Sequence, residues 1–153
     1  MRRIVASALA FLVLCECVWA GLGSSKAMYV GGTAGIKDKT EGKASLTDEK
    51  AFSFNYGKAS LSIPYSQITS LEYGQKAGRR VGLAVAVSPL FLFSKKRRHF
   101  LTIGYTDDAQ KQQAAVFELG KGGVRSTLAT LEQRTGKKVE FEDDEARKTA
   151  EKN

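Results

Sequence analysis

The chain has 153 residues, 42% of them hydrophobic and 26% charged, and its 24 lysines and arginines against 16 acidic residues give a formal charge of +8. Its two cysteines, Cys15 and Cys17, both lie in the first twenty residues. From residue 21 onward the sequence therefore excludes an internal disulfide, thiolate catalysis and a cysteine-ligated metal, and its basic balance favours anionic partners.

Met1, Arg2 and Arg3 form a short positive stretch, and residues 4–15 are an uninterrupted run of apolar and small side chains. These are the first two regions of a secretory signal. Val18 and Ala20 place modest side chains where a signal peptidase reads, so residues 1–20 are expected to be a signal peptide cleaved after Ala20. The run is shorter than the roughly 20 residues of a spanning helix, and Glu16 closes it. Leu14 and Glu16 precede the cysteines, where lipoprotein processing prefers a small residue. Cleavage would remove both cysteines and leave about 133 residues with a charge near +7. An exported domain without disulfides fits a bacterial periplasm or cell envelope. Lipid headgroups, envelope polysaccharide or an envelope protein are then the expected partners, and export ranks nucleic acid last.

Residues 21–27 read as a flexible lead-in, and Met28, Tyr29 and Val30 start a first strand that Gly31 and Gly32 interrupt or bend. Residues 37–42 are a polar loop. Ala44 and Leu46 lead into the turn-like cluster 47–50, after which Phe52, Phe54 and Tyr56 alternate with Ser53 and Asn55, the period of a strand with one buried face. A turn at 56–58 precedes another strand with Leu61, Ile63 and Tyr65 on one side. Pro64 cannot donate a ladder hydrogen bond and belongs at an edge or a strand end. Ile68, Leu71 and Tyr73 make a further extended segment that stops at Gly74. Residues 100–105 and 115–119 form a hairpin joined through Thr106, Asp107, Asp108 and the polar stretch 109–113.

The period then changes. Val124, Leu128 and Leu131 fall at i, i+4 and i+7, while Arg125, Glu132 and Arg134 are spaced to remain solvated. This predicts a three-turn amphipathic helix over about 123–135, ended by Gly136. Val139 and Phe141 follow as a short extended piece. Residues 143–153 are charged or small, with no evident anchor, and are expected to fray or to continue as an exposed helix.

The order of these elements resembles the pleckstrin-homology-like superfold, in particular its compact bacterial versions and the related GRAM-type domains. The resemblance is carried by Ile63-Pro64-Tyr65 before Ile68 and Leu71, by the strand 100–105, and by its hairpin partner ending at Leu119 before the helix. It implies a mainly β fold over 28–142, a partly open barrel of antiparallel strands with one C-terminal helix. Members that bind phosphoinositides carry basic residues across the first hairpin. Here Lys37, Lys39 and Lys43 are interrupted by Asp38 and Glu41, with no arginine, which argues against that ligand.

The least ordinary stretch lies between the strands ending at Tyr73 and starting at Phe100. Residues 81–93 are almost wholly apolar and are bracketed by Arg79 and Arg80 on one side and by Lys95, Lys96, Arg97 and Arg98 on the other. One reading is contact with an anionic membrane surface or a protein partner, with Leu90, Phe91, Leu92 and Phe93 as the apolar tip. Thirteen residues are too few to span, and Pro89 breaks a helix begun at Val81. In a second reading Val81, Leu83, Val85 and Val87 alternate with small residues as a core strand, and a third divides the run into a core half and a contact half.

Chemistry-bearing groups are sparse. The single histidine, His99, sits in a basic run at a strand start and reads as a surface or strand-edge residue. Asp107 and Asp108 belong to a turn, and the acidic run 142–145 falls where no rigid scaffold is expected. Neither has the alternating oxygen spacing of a calcium loop. Gly120, Gly122 and Gly123 precede the helix without the ordered lysine and hydroxyl residue of a nucleotide loop, although their amides could attract a small anion. No cofactor, metal or catalytic residue is assigned. The function expected is a non-enzymatic binding or scaffolding module. The alternatives are a carrier of a small apolar ligand or lipid, with a cavity lined by Phe52, Phe54, Tyr65 and Phe117, and an enzyme whose site assembles only in three dimensions.

Overall fold

Period-two patterning puts Phe52 and Phe54 on one side of strand β3 (Ala51–Tyr56), where both are fully buried. The same logic builds the rest of the computed structural model, which describes residues 23–76 and 98–153. The proposed signal segment 1–20 and the run 81–93 lie outside the described residues.

The first half is a meander of β1 (Ser24–Gly32), β2 (Thr40–Ser45), β3 and β4 (Ala59–Pro64), each antiparallel to the next. A single 3-10 turn, Tyr65–Gln67, leads into a second meander of β5 (Ile68–Gly74), β6 (His99–Thr106) and β7 (Gln112–Leu119). β1 pairs with β7 and joins the two meanders. Helix α1 (Val124–Thr135), the short strand β8 (Val139–Phe141) and helix α2 (Asp144–Lys152) complete the chain. β8 runs parallel to β5. The described strands thus form one mixed sheet in the order β4-β3-β2-β1-β7-β6-β5-β8, with β4 and β8 at its edges and no full closure.

Several local expectations hold for the reasons given. Pro64 ends β4, an edge strand, where its missing N–H leaves no gap in the ladder. The register of β1 against β7 shifts between Tyr29 and Gly31, so the glycine pair does bend the strand. Gly136 takes the left-handed conformation at φ 69° and donates its N–H to the Glu132 carbonyl, closing α1.

Three expectations give way. β1 begins at Ser24, inside the supposed lead-in, and Ala27 is already buried in the core. There are two C-terminal helices among the described residues, not one. Residues 143–153, expected to fray or to continue as an exposed helix without an anchor, do form a helix, α2, but it is capped by the Asp143 carboxylate, which accepts the Ala146 N–H at 2.7 Å, and anchored by the buried Ala146 and Ala150. Two alanines four apart suffice because a helix lying close against a core needs small side chains on that stripe.

The core fills the space between the inner sheet face and the helices. Phe117 lies at its centre, with ring centroids 5.8 Å from Tyr29, 5.3 Å from Phe52 and 5.0 Å from Phe54. These rings pack with the buried Tyr65 in one core cluster. Gly42 makes room for one of them, since a Cβ there would come within 2.8 Å of the Phe54 ring.

Candidate functional site

β5 and β6 are antiparallel neighbours, with Gly74 opposite Phe100, so residues 76 and 98 emerge together at one end of the sheet. The Arg98 N–H donates to the Gln75 carbonyl at 3.4 Å. Four elements hold this end. Glu142, just past β8, accepts the Gln75 and Lys76 N–H groups on Oε2 at 3.1 and 3.3 Å and donates its own N–H to the Tyr73 carbonyl at 2.9 Å. The buried Gln75 side chain donates to Thr149 Oγ1 of α2 at 2.7 Å. The C-terminal helix that seemed unanchored therefore clamps the point from which the apolar run departs.

Of the ten residues expected to make contact, Arg98 is described. Its guanidinium donates to Glu118 Oε2 on β7 at 2.7 Å, across the outer sheet face, with about a third of the side chain exposed. This ion pair ties Arg98 to β7. Arg79, Arg80, Leu90, Phe91, Leu92, Phe93, Lys95, Lys96 and Arg97 lie outside the described residues.

His99 is not a surface residue. It is 8% exposed, and its Nδ1 lies 2.6 Å from the Tyr73 hydroxyl, the two rings stacked at 26°. Parity explains the burial: His99 shares a pleat side with Leu101, Ile103 and Tyr105, all core residues. Burial lowers the imidazole pKa below its ordinary 6.5; the Lys121 ammonium adds to this and Glu118 opposes it. Burial likewise raises the Tyr73 phenol to about 12. Both groups are neutral at physiological pH, and the pair satisfies two buried polar side chains. Tyr73 is 1% exposed.

The remaining sequence candidates resolve into structural roles. The Asp107 carboxylate accepts the Lys111 and Ala109 N–H groups, each at 2.9 Å, and the Gln113 side-chain amide at 2.7 Å. These bonds, the Lys111 amide foremost, hold its pKa below the usual carboxylate value. It organises the β6–β7 turn. The Gly123 N–H ahead of α1 donates to the Asn153 carbonyl at 3.2 Å, so part of the amide loop is already used by the end of the chain. No group of three His, Cys, Asp or Glu is placed to hold a metal ion among the described residues. No helix among them is long and apolar enough to cross a membrane.

An open groove of about 730 Å³ runs over the outer face where β1, β2, β3 and β7 meet, lined in part by Lys26, Met28, Glu41, Lys43, Asn55 and Glu118. The sequence did not mark this groove, because side chains from four strands become neighbours only once the sheet is ordered. Its lining sets lysines and glutamates of opposite charge around Ala27, Met28 and Leu119. No protein-family model matches the chain, and no curated protein matches it significantly.

Proposed function

We propose that this chain is a non-enzymatic binding module of the bacterial envelope, with a pleckstrin-homology-like body that presents the 77–97 segment to an anionic membrane surface. The observation carrying this reading is the clamped end of the sheet. Gln75 and Arg98 are tied to each other, and Glu142, Thr149 and Glu118 fix them to three further elements. The 21 residues between Lys76 and Arg98 in the sequence bear two basic clusters around an apolar run. Each basic residue close to an anionic leaflet contributes on the order of 1 kcal/mol, and inserted apolar area adds to it.

Two meanders joined through β1 and β7 and followed by α1 support the pleckstrin-homology-like identity of the body. The burial of His99 and Tyr73 and the turn role of Asp107 support a non-catalytic one. Export through the 1–20 segment belongs to the same proposal.

Co-sedimentation of the processed protein with vesicles tests it. Binding to phosphatidylglycerol vesicles is expected at low salt. It should weaken at high salt, on neutral phosphatidylcholine vesicles, and in a folded Phe91→Asp, Phe93→Asp variant. Binding indifferent to lipid charge, salt and both substitutions, or no binding at all, would refute the membrane reading and leave an envelope protein as the partner class.

A further inference from the structure

A pocket of about 150 Å³ lies between the first turn of α1 and the paired ends of β1 and β2. Gly122, Gly123, Ser126 and Thr127 line it from the helix side, and no carboxylate of the described residues does. Gly123, the residue before the helix, has no side chain with which to cap it, and the first turn carries no acidic residue. The N–H groups of Val124, Arg125 and Ser126 are the first three of the helix and have no acceptor within it. None of them donates to another group among the described residues; the Asn153 carbonyl takes only the Gly123 N–H.

Thr127 gives this helix end a second, independent feature. It lines the pocket yet is only 6% exposed. A helical threonine hydroxyl ordinarily bonds to a carbonyl three or four residues back. Here the Gly123 carbonyl already accepts the Thr127 N–H at 2.9 Å and the Ser126 hydroxyl at 3.0 Å. Thr127 Oγ1 therefore has no partner among the described residues, and a hydroxyl so deeply placed calls for one. The oxygen keeps contact with solvent, and the pocket is where it does so. Ser25 supplies another such hydroxyl from β1. It shares a pleat side with the core residues Ala27 and Tyr29, lines the same pocket and makes no side-chain hydrogen bond among the described residues.

We infer that this pocket binds a phosphate group, either the free ion or the terminal phosphate of a small ester. The amide end of α1 supplies the positive end of the helix dipole. The Thr127 and Ser25 hydroxyls donate from two different elements, an arrangement suited to a tetrahedral oxyanion with an oxygen for each. Lys121 and Arg125 are exposed beside the pocket in the chain, and the net charge of +8 favours an anion's approach. The inference goes beyond the membrane reading and does not rest on it, because every group it uses belongs to the described fold.

Titration of the ¹⁵N-labelled full chain with sodium phosphate at pH 8, against sodium chloride of matched ionic strength, tests it. The Val124, Arg125 and Ser126 amide signals should shift saturably with phosphate and not with chloride. Thr127→Val, which keeps the shape and removes the hydroxyl, should weaken binding about tenfold. Thr127→Ser, which restores a hydroxyl, should recover most of it. Glycerol phosphate distinguishes the two sources: binding comparable to that of phosphate would assign an ester's terminal group, and binding of inorganic phosphate alone would confine the site to the free ion. The absence of a saturable shift, equal shifts with chloride, or a folded Thr127→Val variant that binds as tightly as the unaltered chain would overturn the inference. Because Thr127→Val could unfold, Ser25→Ala on β1 provides a second reading. It should weaken phosphate binding severalfold, and unchanged affinity would overturn the assignment.

Discussion

The Tyr73 hydroxyl and His99 Nδ1 lie 2.6 Å apart inside the sheet end from which the apolar run departs, the phenol on β5 and the imidazole on β6. Each supplies the other's partner where water cannot, so both must stay neutral. The pair consequently links stability to pH.

His99 titrates below its ordinary 6.5 in the fold because burial disfavours the charged ring. As pH falls, the unfolded chain takes up this proton first. The His99 contribution is therefore fully present above the ordinary value of 6.5 and is lost as pH falls from there through the lowered value in the fold. Tyr73 and Tyr29, both raised to about 12, behave oppositely: their contribution is complete below pH 10 and is lost above it. Thermal melts from pH 5 to 8 should show a decline on the acid side that His99→Phe removes. Because the chain has one histidine, its ring signals in an NMR titration are unambiguous. Tyr73→Phe should cost about 1–3 kcal/mol by leaving a buried nitrogen without its partner.

Arg134 was expected to be solvated, yet it fastens α1 to the far meander. Its Nη1 donates to the Leu46 carbonyl at 2.6 Å, to the Asp48 carbonyl, and to the Tyr65 hydroxyl at 3.1 Å, with the guanidinium 5.5 Å from the Tyr65 ring centroid. Arg134→Ala should lower stability in urea melts by about 1–3 kcal/mol, because carbonyls satisfied by a charged donor lose it together. Arg134→Lys should recover only part, because an ammonium has no planar group to lay over the Tyr65 ring.

Gly32 and Gly35 make a matched pair of probes. Gly32 has φ of 136°, and a Cβ there would come within 2.2 Å of the Ala114 carbonyl and 2.8 Å of the Tyr29 hydroxyl. At Gly35, with φ of 70°, a Cβ would meet nothing within 4 Å. Gly35→Ala should therefore cost only the backbone penalty of roughly 1–2 kcal/mol. Gly32→Ala should cost clearly more, since β1 and β7 must separate to admit the methyl. Denaturant midpoints of the two variants check the difference.

Helix α2 should behave as part of the domain. Asp143→Ala should cost about 1 kcal/mol through the lost N-cap, and Ala150→Asp should cost more by burying a charge against the core. Hydrogen exchange of the Gln75 and Lys76 amides, which bond to Glu142, should accelerate in Ala150→Asp. Unchanged protection of these amides would show that α2 does not support the clamp.

The strands and α1 were legible because their burial is one-sided and local. Phe52 and Phe54, or Val124, Leu128 and Leu131, announce a period with no knowledge of what they face. Pro64 and Gly136 announce ends for equally local reasons, a missing donor and a permitted left-handed turn. The docking of α2 was not legible, because alanines carry no hydrophobic signal strong enough to distinguish a docked stripe from a solvated one.

The sequence by itself determined the element order, the places where strands bend or stop, the exclusion of cysteine chemistry after residue 20, and the presence of one long apolar run between basic clusters. These follow from side-chain type and spacing along a single segment. Tertiary structure alone decided that His99 is buried against Tyr73, that Arg134 ties helix to loop, that Arg98 is spent on Glu118, and that the end of the chain clamps the base of the apolar run. Each of these depends on strand order and register, which bring together residues dozens of positions apart, and local periodicity carries no information about that pairing.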